Sequence, residues 1–133
     1  MEYTSLQFTV KDLERTYQFY RNVLGFYIER VGEDDGFDFL VLKEDGYEIM
    51  FEEAAVVSKL HPKLSDKWGS AVRGSGVALN FVVNNLYEIY GRIRAHNTPL
   101  LYDIVEKHYG MREVWIYDPD DYLIVLSEPV DEP

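Results

Sequence analysis

An apolar pattern near the start of the chain recurs 73 positions later, and this repeat constrains the fold more than any other feature. Leu13, Tyr17 and Tyr20 match Leu86, Tyr90 and Ile93 at one offset (86 − 13 = 73, 90 − 17 = 73, 93 − 20 = 73), and Phe8 and Val10 match Phe81 and Val83. Each copy starts the same way. Phe8 and Val10 alternate with Thr9, the period of a half-buried strand. Asp12 is placed to cap a helix, because its carboxylate can accept from the orphan N–H groups of the first turn. Leu13, Tyr17, Tyr20 and Leu24 then fall on one helical face, and Gly25 supplies the left-handed residue on which helices commonly end.

The rest of the first copy reads as three strands, Tyr27 to Val31, Phe37 to Leu42 and Tyr47 to Glu52. Gly32 to Gly36 is an acidic turn between the first two, and Asp45-Gly46 is a hairpin signature between the last two. Ala54 to Ser75 is a connection, with a short helix expected around Ser58 to Trp68 and interruptions at Pro62 and Gly69. The second copy runs through a strand at Gly76 to Val83 and a cap at Asn84 or Asn85. A helix follows that buries Leu86, Tyr90 and Ile93 and ends at Asn97. Strands at Leu100 to Ile104, Glu113 to Tyr117 and Tyr122 to Ser127 follow, with a loop over Val105 to Arg112 and a turn at Asp118-Pro119-Asp120-Asp121. Each copy is β-α-β-β-β. One such unit leaves a sheet face uncovered, so two packed units in a single domain are expected: residues 3–53, a connection over 54–75, and residues 76–128.

Composition excludes several classes. No run of apolar residues approaches the roughly 20 needed for a membrane span, and MEYTSLQF lacks the features of a secretory leader. The absence of cysteine removes disulfides, thiolate metal sites and cysteine nucleophiles. A cytoplasmic protein is expected. The formal net charge of −11 disfavours nucleic acid, whose phosphates need a basic surface, and favours a cationic ligand.

KDLERTYQFYRNVLGF resembles the opening of the vicinal oxygen chelate superfamily, which includes glyoxalase I, the fosfomycin-resistance enzymes, the extradiol dioxygenases and the bleomycin-resistance proteins. YGMREVWIYDPDDYLIVLSEP resembles its closing stretch, with Asp121 where that family usually has glycine; Asp tolerates the left-handed region. The resemblance runs from about Tyr3 to Glu128. It implies an α+β fold of two β-α-β-β-β modules forming a curled mixed sheet around a cavity.

In the metal-dependent members, His, Glu or Gln ligands come from the first and last strands of each module. Carried over, those positions fall on Ser5, Met50, Ala78 and Val125, none of which suits a hard divalent cation. A shift of two residues keeps the faces and brings Gln7, Glu48 or Glu52, and Asn80 forward. His61 and His108 lie in expected loops and His96 in a last helical turn, so they do not form a shared metal site. Neither Glu33-Asp34-Asp35 nor Asp118/Asp120/Asp121 matches a calcium loop, and both are expected to be solvated turns. No metal, cofactor or catalytic residue is expected.

Alternation leaves Gln7, Phe39, Glu48, Met50, Glu52 and Asn80 on the cavity side. Trp115 shares that side, with Tyr109 and Arg112 in the loop before its strand and Trp68 in the connection. These residues are the expected ligand contacts, with Glu48, Glu52 or Glu113 supplying negative potential. The resemblance then implies a metal-free binding protein of the bleomycin-resistance type, sequestering a cationic, partly aromatic molecule as a homodimer. The alternatives are a metal-dependent lyase, isomerase or dioxygenase, and a binding protein for an unrelated metabolite.

Overall fold

The computed structural model describes residues 2–32, 38–44, 47–69 and 71–130. The chain divides into two compact units, Met1–Ala71 and Val72–Pro133. Each contains a four-stranded mixed sheet, so the α+β class and the duplicated β-α-β-β-β plan hold.

In the first unit, β1 (Thr4–Val10) leads into α1 (Leu13–Gln18), which continues as a π-helical turn over Phe19–Val23. β2 (Glu29–Gly32), β3 (Asp38–Glu44) and β4 (Tyr47–Glu53) follow, and the sheet order is β1-β4-β3-β2. β1 runs parallel to β4; the other pairs are antiparallel. Asp12 caps α1 as expected, its Oδ1 accepting from Arg15 N at 3.2 Å. A second carboxylate joins it: Glu53, at the end of β4, accepts from Leu13 N at 3.3 Å. Gly25 takes the expected left-handed conformation, φ 75°. The core lies between helix and sheet, with Val10, Tyr20, Leu40 and Phe51 fully buried and the Tyr20 and Phe51 rings 4.9 Å apart.

The connection is more regular than expected. α2 (Ala54–Leu60) starts directly after β4, and α3 (Pro62–Trp68) begins at the proline expected to break a helix. Proline at the first helical position loses only an N–H that would be unpaired anyway. Both helices belong to the first unit. The Gly32 to Gly36 turn falls almost wholly within 33–37, and the Asp45-Gly46 turn at 45–46; both lie outside the described residues.

In the second unit, β5 (Ala78–Val82), α4 (Leu86–Ala95), β6 (Leu100–Glu106), β7 (Met111–Tyr117) and β8 (Leu123–Pro129) form a sheet in the order β5-β8-β7-β6. β6 runs two residues further and β7 starts two residues earlier than expected, which shrinks the loop to 107–110 and places Arg112 inside a strand. Asn85 occupies the cap position of α4 without a side-chain cap bond; Glu128 accepts from Leu86 N at 2.8 Å instead. Asn97 (φ 54°) and Asp121 (φ 67°) take the left-handed conformations expected of them.

Both helices bury the expected stripe at Leu13 and Tyr20 and at Leu86 and Ile93, but its middle position shifts by one. Thr16 and Ile89 are fully buried, while Tyr17 and Tyr90 sit at the edge. Each phenol is amphipathic, and at the edge its hydroxyl can reach a partner; Tyr90 donates to Asp103 at 2.6 Å. Of the Asp118–Asp121 turn, Asp121 is exposed as expected, but Asp118 and Asp120 are not. Asp118 is 4% exposed because its carboxylate accepts from the backbone N–H groups of Asp120 and Tyr122, at 2.8 and 3.0 Å. Asp120 is buried 3.9 Å from Arg73. A Cβ on Gly74 would come within 2.6 Å of the Asp121 carbonyl, so only glycine fits there.

Candidate functional site

Each sheet turns one face to its helix and leaves the other open. Strand pairing orders the open faces into rows. In the first unit the rows are Ser5, Glu48, Lys43; then Gln7, Met50, Val41; then Thr9, Glu52, Phe39. In the second they are Ala78, Leu123, Tyr117; then Asn80, Val125, Trp115; then Val82, Ser127, Glu113. The structure therefore places Gln7, Phe39, Glu48, Met50 and Glu52 together on one open face, and Asn80 and Trp115 together on the other. Arg112 belongs to neither: its guanidinium stacks 5.0 Å from the ring centre of Tyr87 on α4, the helix side. Trp68 is the last residue of α3, half-buried.

On the first unit, a cleft of about 600 Å³ opens where β1 and β4 meet α2 and α3. Gln7, Phe8, Thr9 and Glu52 line its sheet side; Val57, Leu60, His61, Lys63 and Leu64 line its helix side. His61 thus borders a cavity, whereas His96 caps the C-terminus of α4 and His108 packs its ring 5.1 Å from that of Tyr109.

On the second unit the open face centres on Glu113. Glu113 is 5% exposed, and its carboxylate takes two hydrogen bonds, Oε2 from the Tyr109 hydroxyl at 2.6 Å and Oε1 from Trp115 Nε1 at 3.0 Å. The bond to Glu113 and burial push the Tyr109 hydroxyl above its ordinary pKa. Tyr102 packs edge-on against Trp115, ring centres 5.3 Å apart. Beside this group, Ser127 Oγ donates to Asn80 Oδ1 at 2.7 Å, which fixes the Asn80 amide. Tyr102 was not among the expected contacts, and Glu113 was expected only as a source of negative potential. Glu113 shares the Trp115 face by strand alternation, but nothing in sequence says that a loop tyrosine folds back to it.

The donor set does not fit a divalent ion of the kind the resemblance implies. On the first and last strands of both units, equivalent rows contain one carboxylate (Glu48), none, and one carboxylate (Glu52), with no histidine. A shift of two residues in either direction therefore leaves too few hard ligands. Among the described residues, no three His, Asp or Glu side chains gather as a metal site would require. No helix among them is long and apolar enough to cross a membrane.

The profile of the Glyoxalase/Bleomycin resistance protein/Dioxygenase superfamily matches residues 3–126. Among curated proteins, none matches this sequence. Several solved structures share the fold. A hypothetical protein from S. aureus superposes with a TM-score of 0.74 at 16% identity, covering 96% of this chain and 94% of its own. A glyoxalase/bleomycin resistance protein/dioxygenase from Nocardioides gives 0.68 at 16% identity, covering 98% and 84%. A virulence protein from Salmonella typhimurium gives 0.65 at 22% identity, covering 95% and 94%. With nearly the whole chain matched by the family profile, this protein belongs to the glyoxalase/bleomycin resistance protein/dioxygenase superfamily.

Proposed function

We propose that this protein is a metal-free binding protein that sequesters a cationic, partly aromatic small molecule of the bleomycin type on its open sheet faces. The observation that carries this reading is the chemistry of the rows: too few chelating groups for a metal, but carboxylates at Glu48, Glu52 and Glu113, with Phe39 beside Glu52 and Trp115 beside Glu113. The net charge of −11 reinforces it, since opposite charge raises local ligand concentration and on-rate. A second copy would close the open faces, where Val82, Tyr102 and Tyr117 are exposed. A cytoplasmic, homodimeric protein is part of the reading.

The test is a thermal-shift and tryptophan-fluorescence titration with a bleomycin-type drug at low and high salt. A native-state ligand raises apparent stability, so the melting temperature should rise, more at low salt than at high salt. No shift and no quenching at low salt would overturn the antibiotic reading. About one Ni, Zn, Fe or Mn per chain after dialysis would overturn the metal-free one, and sedimentation at monomer mass would overturn the dimer.

A further inference from the structure

Glu113 is a buried carboxylate with no cation beside it among the described residues. Its residue is 5% exposed, and no ion pair among the described residues includes it. A carboxylate removed from water is stable when paired with opposite charge and hydrogen-bonded. Here only the second condition is met, by Tyr109 and Trp115. Three aromatic residues gather at the anion, two as its donors and Tyr102 packed against one of them. Tyr102 and Tyr109 are 57% and 55% exposed. Aromatic faces carry negative quadrupole potential and attract cations without supplying hydrogen bonds.

We propose that Tyr102, Tyr109 and Trp115, with Glu113 beneath them, form a site for a methylated ammonium group. The inference rests on the reading of the protein as a binder of cations and narrows the class of cation. A primary ammonium brings three N–H donors that need acceptors. A carboxylate offers about four acceptor sites, and protein donors take one on each oxygen of Glu113, so what is left cannot satisfy all three N–H groups of a primary ammonium. A quaternary or heavily methylated ammonium has no such need. It is bulky, and it gains from ring faces and from a fixed negative charge behind them. The hydrogen bonds also hold the walls in place before the ligand arrives: one carboxylate fixes Trp115 and Tyr109, and Tyr102 packs edge-on against the indole. Glu113 is therefore both the counter-charge and the positioning residue of the site.

The probes are choline, its neutral isostere 3,3-dimethylbutanol, and ethanolamine, titrated into the full chain. The readout is the indole N–H resonance of Trp115, assigned by its loss in Trp115→Phe. Choline should shift that resonance saturably, with both other probes at least tenfold weaker. Glu113→Gln, which keeps the shape and removes the charge, should lower choline affinity tenfold or more while the amide spectrum stays folded. Tyr102→Ala should weaken choline without touching the hydrogen bonds of Glu113, and it serves as the test if Glu113→Gln does not fold. Equal binding of choline and its neutral isostere, or no shift with choline, overturns the site. If the bleomycin-type drug still raises the melting temperature in that case, the antibiotic reading survives alone. If choline binds as expected and the drug does not, the site stands and the antibiotic reading falls.

Discussion

In the first unit the third row of the open face reads Thr9, Glu52, Phe39, Val31; in the second it reads Val82, Ser127, Glu113, Val105. The backbone positions are equivalent, and each row has one carboxylate. In the first unit it stands on the parallel-paired strand β4 with a phenylalanine alongside. In the second it has moved one strand over, to β7, with Trp115 two residues along the same strand and Tyr109 reaching it across the turn. The move turns a half-buried acid at the edge of a cleft into a buried acid clamped by two aromatic donors. Duplication explains the scaffold, and the departures from duplication hold the chemistry.

The largest test of the shared scaffold is in the cores. Phe51 and Leu126 are equivalent, opposite Phe8 and Phe81, and both are fully buried. We expect Phe51→Ala to cost about 3–5 kcal/mol and Leu126→Ala about 2–5 kcal/mol by urea denaturation, since the lost transfer energy adds to a cavity term. Amide exchange should rise mainly in the unit that carries the change; an equal rise in both would erase the distinction between units.

A smaller effect separates the two helix caps. Glu53 and Glu128 lie at the ends of the last strands of their units, Glu53 last in β4 and Glu128 one residue before the end of β8, and accept from the first N–H of α1 and α4. Removing a cap costs about 0.5–2 kcal/mol. α1 keeps Asp12, whereas the Asn85 side chain supplies no cap to α4. Glu128→Ala should therefore destabilise more than Glu53→Ala, read from urea midpoints, and equal losses would show that the Asp12 cap adds nothing.

The smallest effect is alkaline. The Glu113 bond raises the Tyr109 pKa above 10.0, as Asp103 does for Tyr90 and Glu29 for Tyr27. A group whose folded pKa is raised stabilises fully below its unfolded value and loses that stabilisation as pH climbs through the folded one. Tyr109 should accordingly titrate later than a free phenol in tyrosine-resolved NMR, and Glu113→Gln should bring it back toward 10.0. Asp103 carries the opposite sign. Tyr90 holds it below 3.8, so its contribution is present above the unfolded value and fades as acid lowers the pH through the folded one.

Much of the scaffold was legible because it rests on periodicity. Alternation in β1, β4, β5 and β8 assigned the faces, and the left-handed roles of Gly25, Asn97 and Asp121 followed from residue chemistry. The open-face residues Gln7, Glu48, Met50, Glu52, Asn80 and Trp115 were legible for the same reason. What escaped depends on contacts between distant positions. The capping of Leu13 by Glu53 spans 40 residues and that of Leu86 by Glu128 spans 42. Arg112 was misplaced because a strand boundary moved by two residues, which put the side chain on the helix face against Tyr87. The clamp on Glu113 needed the turn at 107–110 to return Tyr109 over the sheet, which no local pattern encodes.

The π-helical turn in the first helix also records chain length. From the first helical residue to the left-handed one is 12 positions in the first unit (25 − 13 = 12) and 11 in the second (97 − 86 = 11). The bond that closes each helix shows the same excess. Phe26 N donates to the Tyr20 carbonyl across six positions (26 − 20 = 6), and Thr98 N to the Ile93 carbonyl across five (98 − 93 = 5). The first copy therefore holds one inserted residue, and the widened turn at Phe19–Val23 is where it is lodged. The offset of 73 that aligns the start of the two helices becomes 72 beyond that turn (97 − 25 = 72), yet both copies leave their helices through the same left-handed exit. A change in length that would rotate every later side chain of a regular helix by about 100° is absorbed within one turn, so the strands downstream keep their register with the insertion in place.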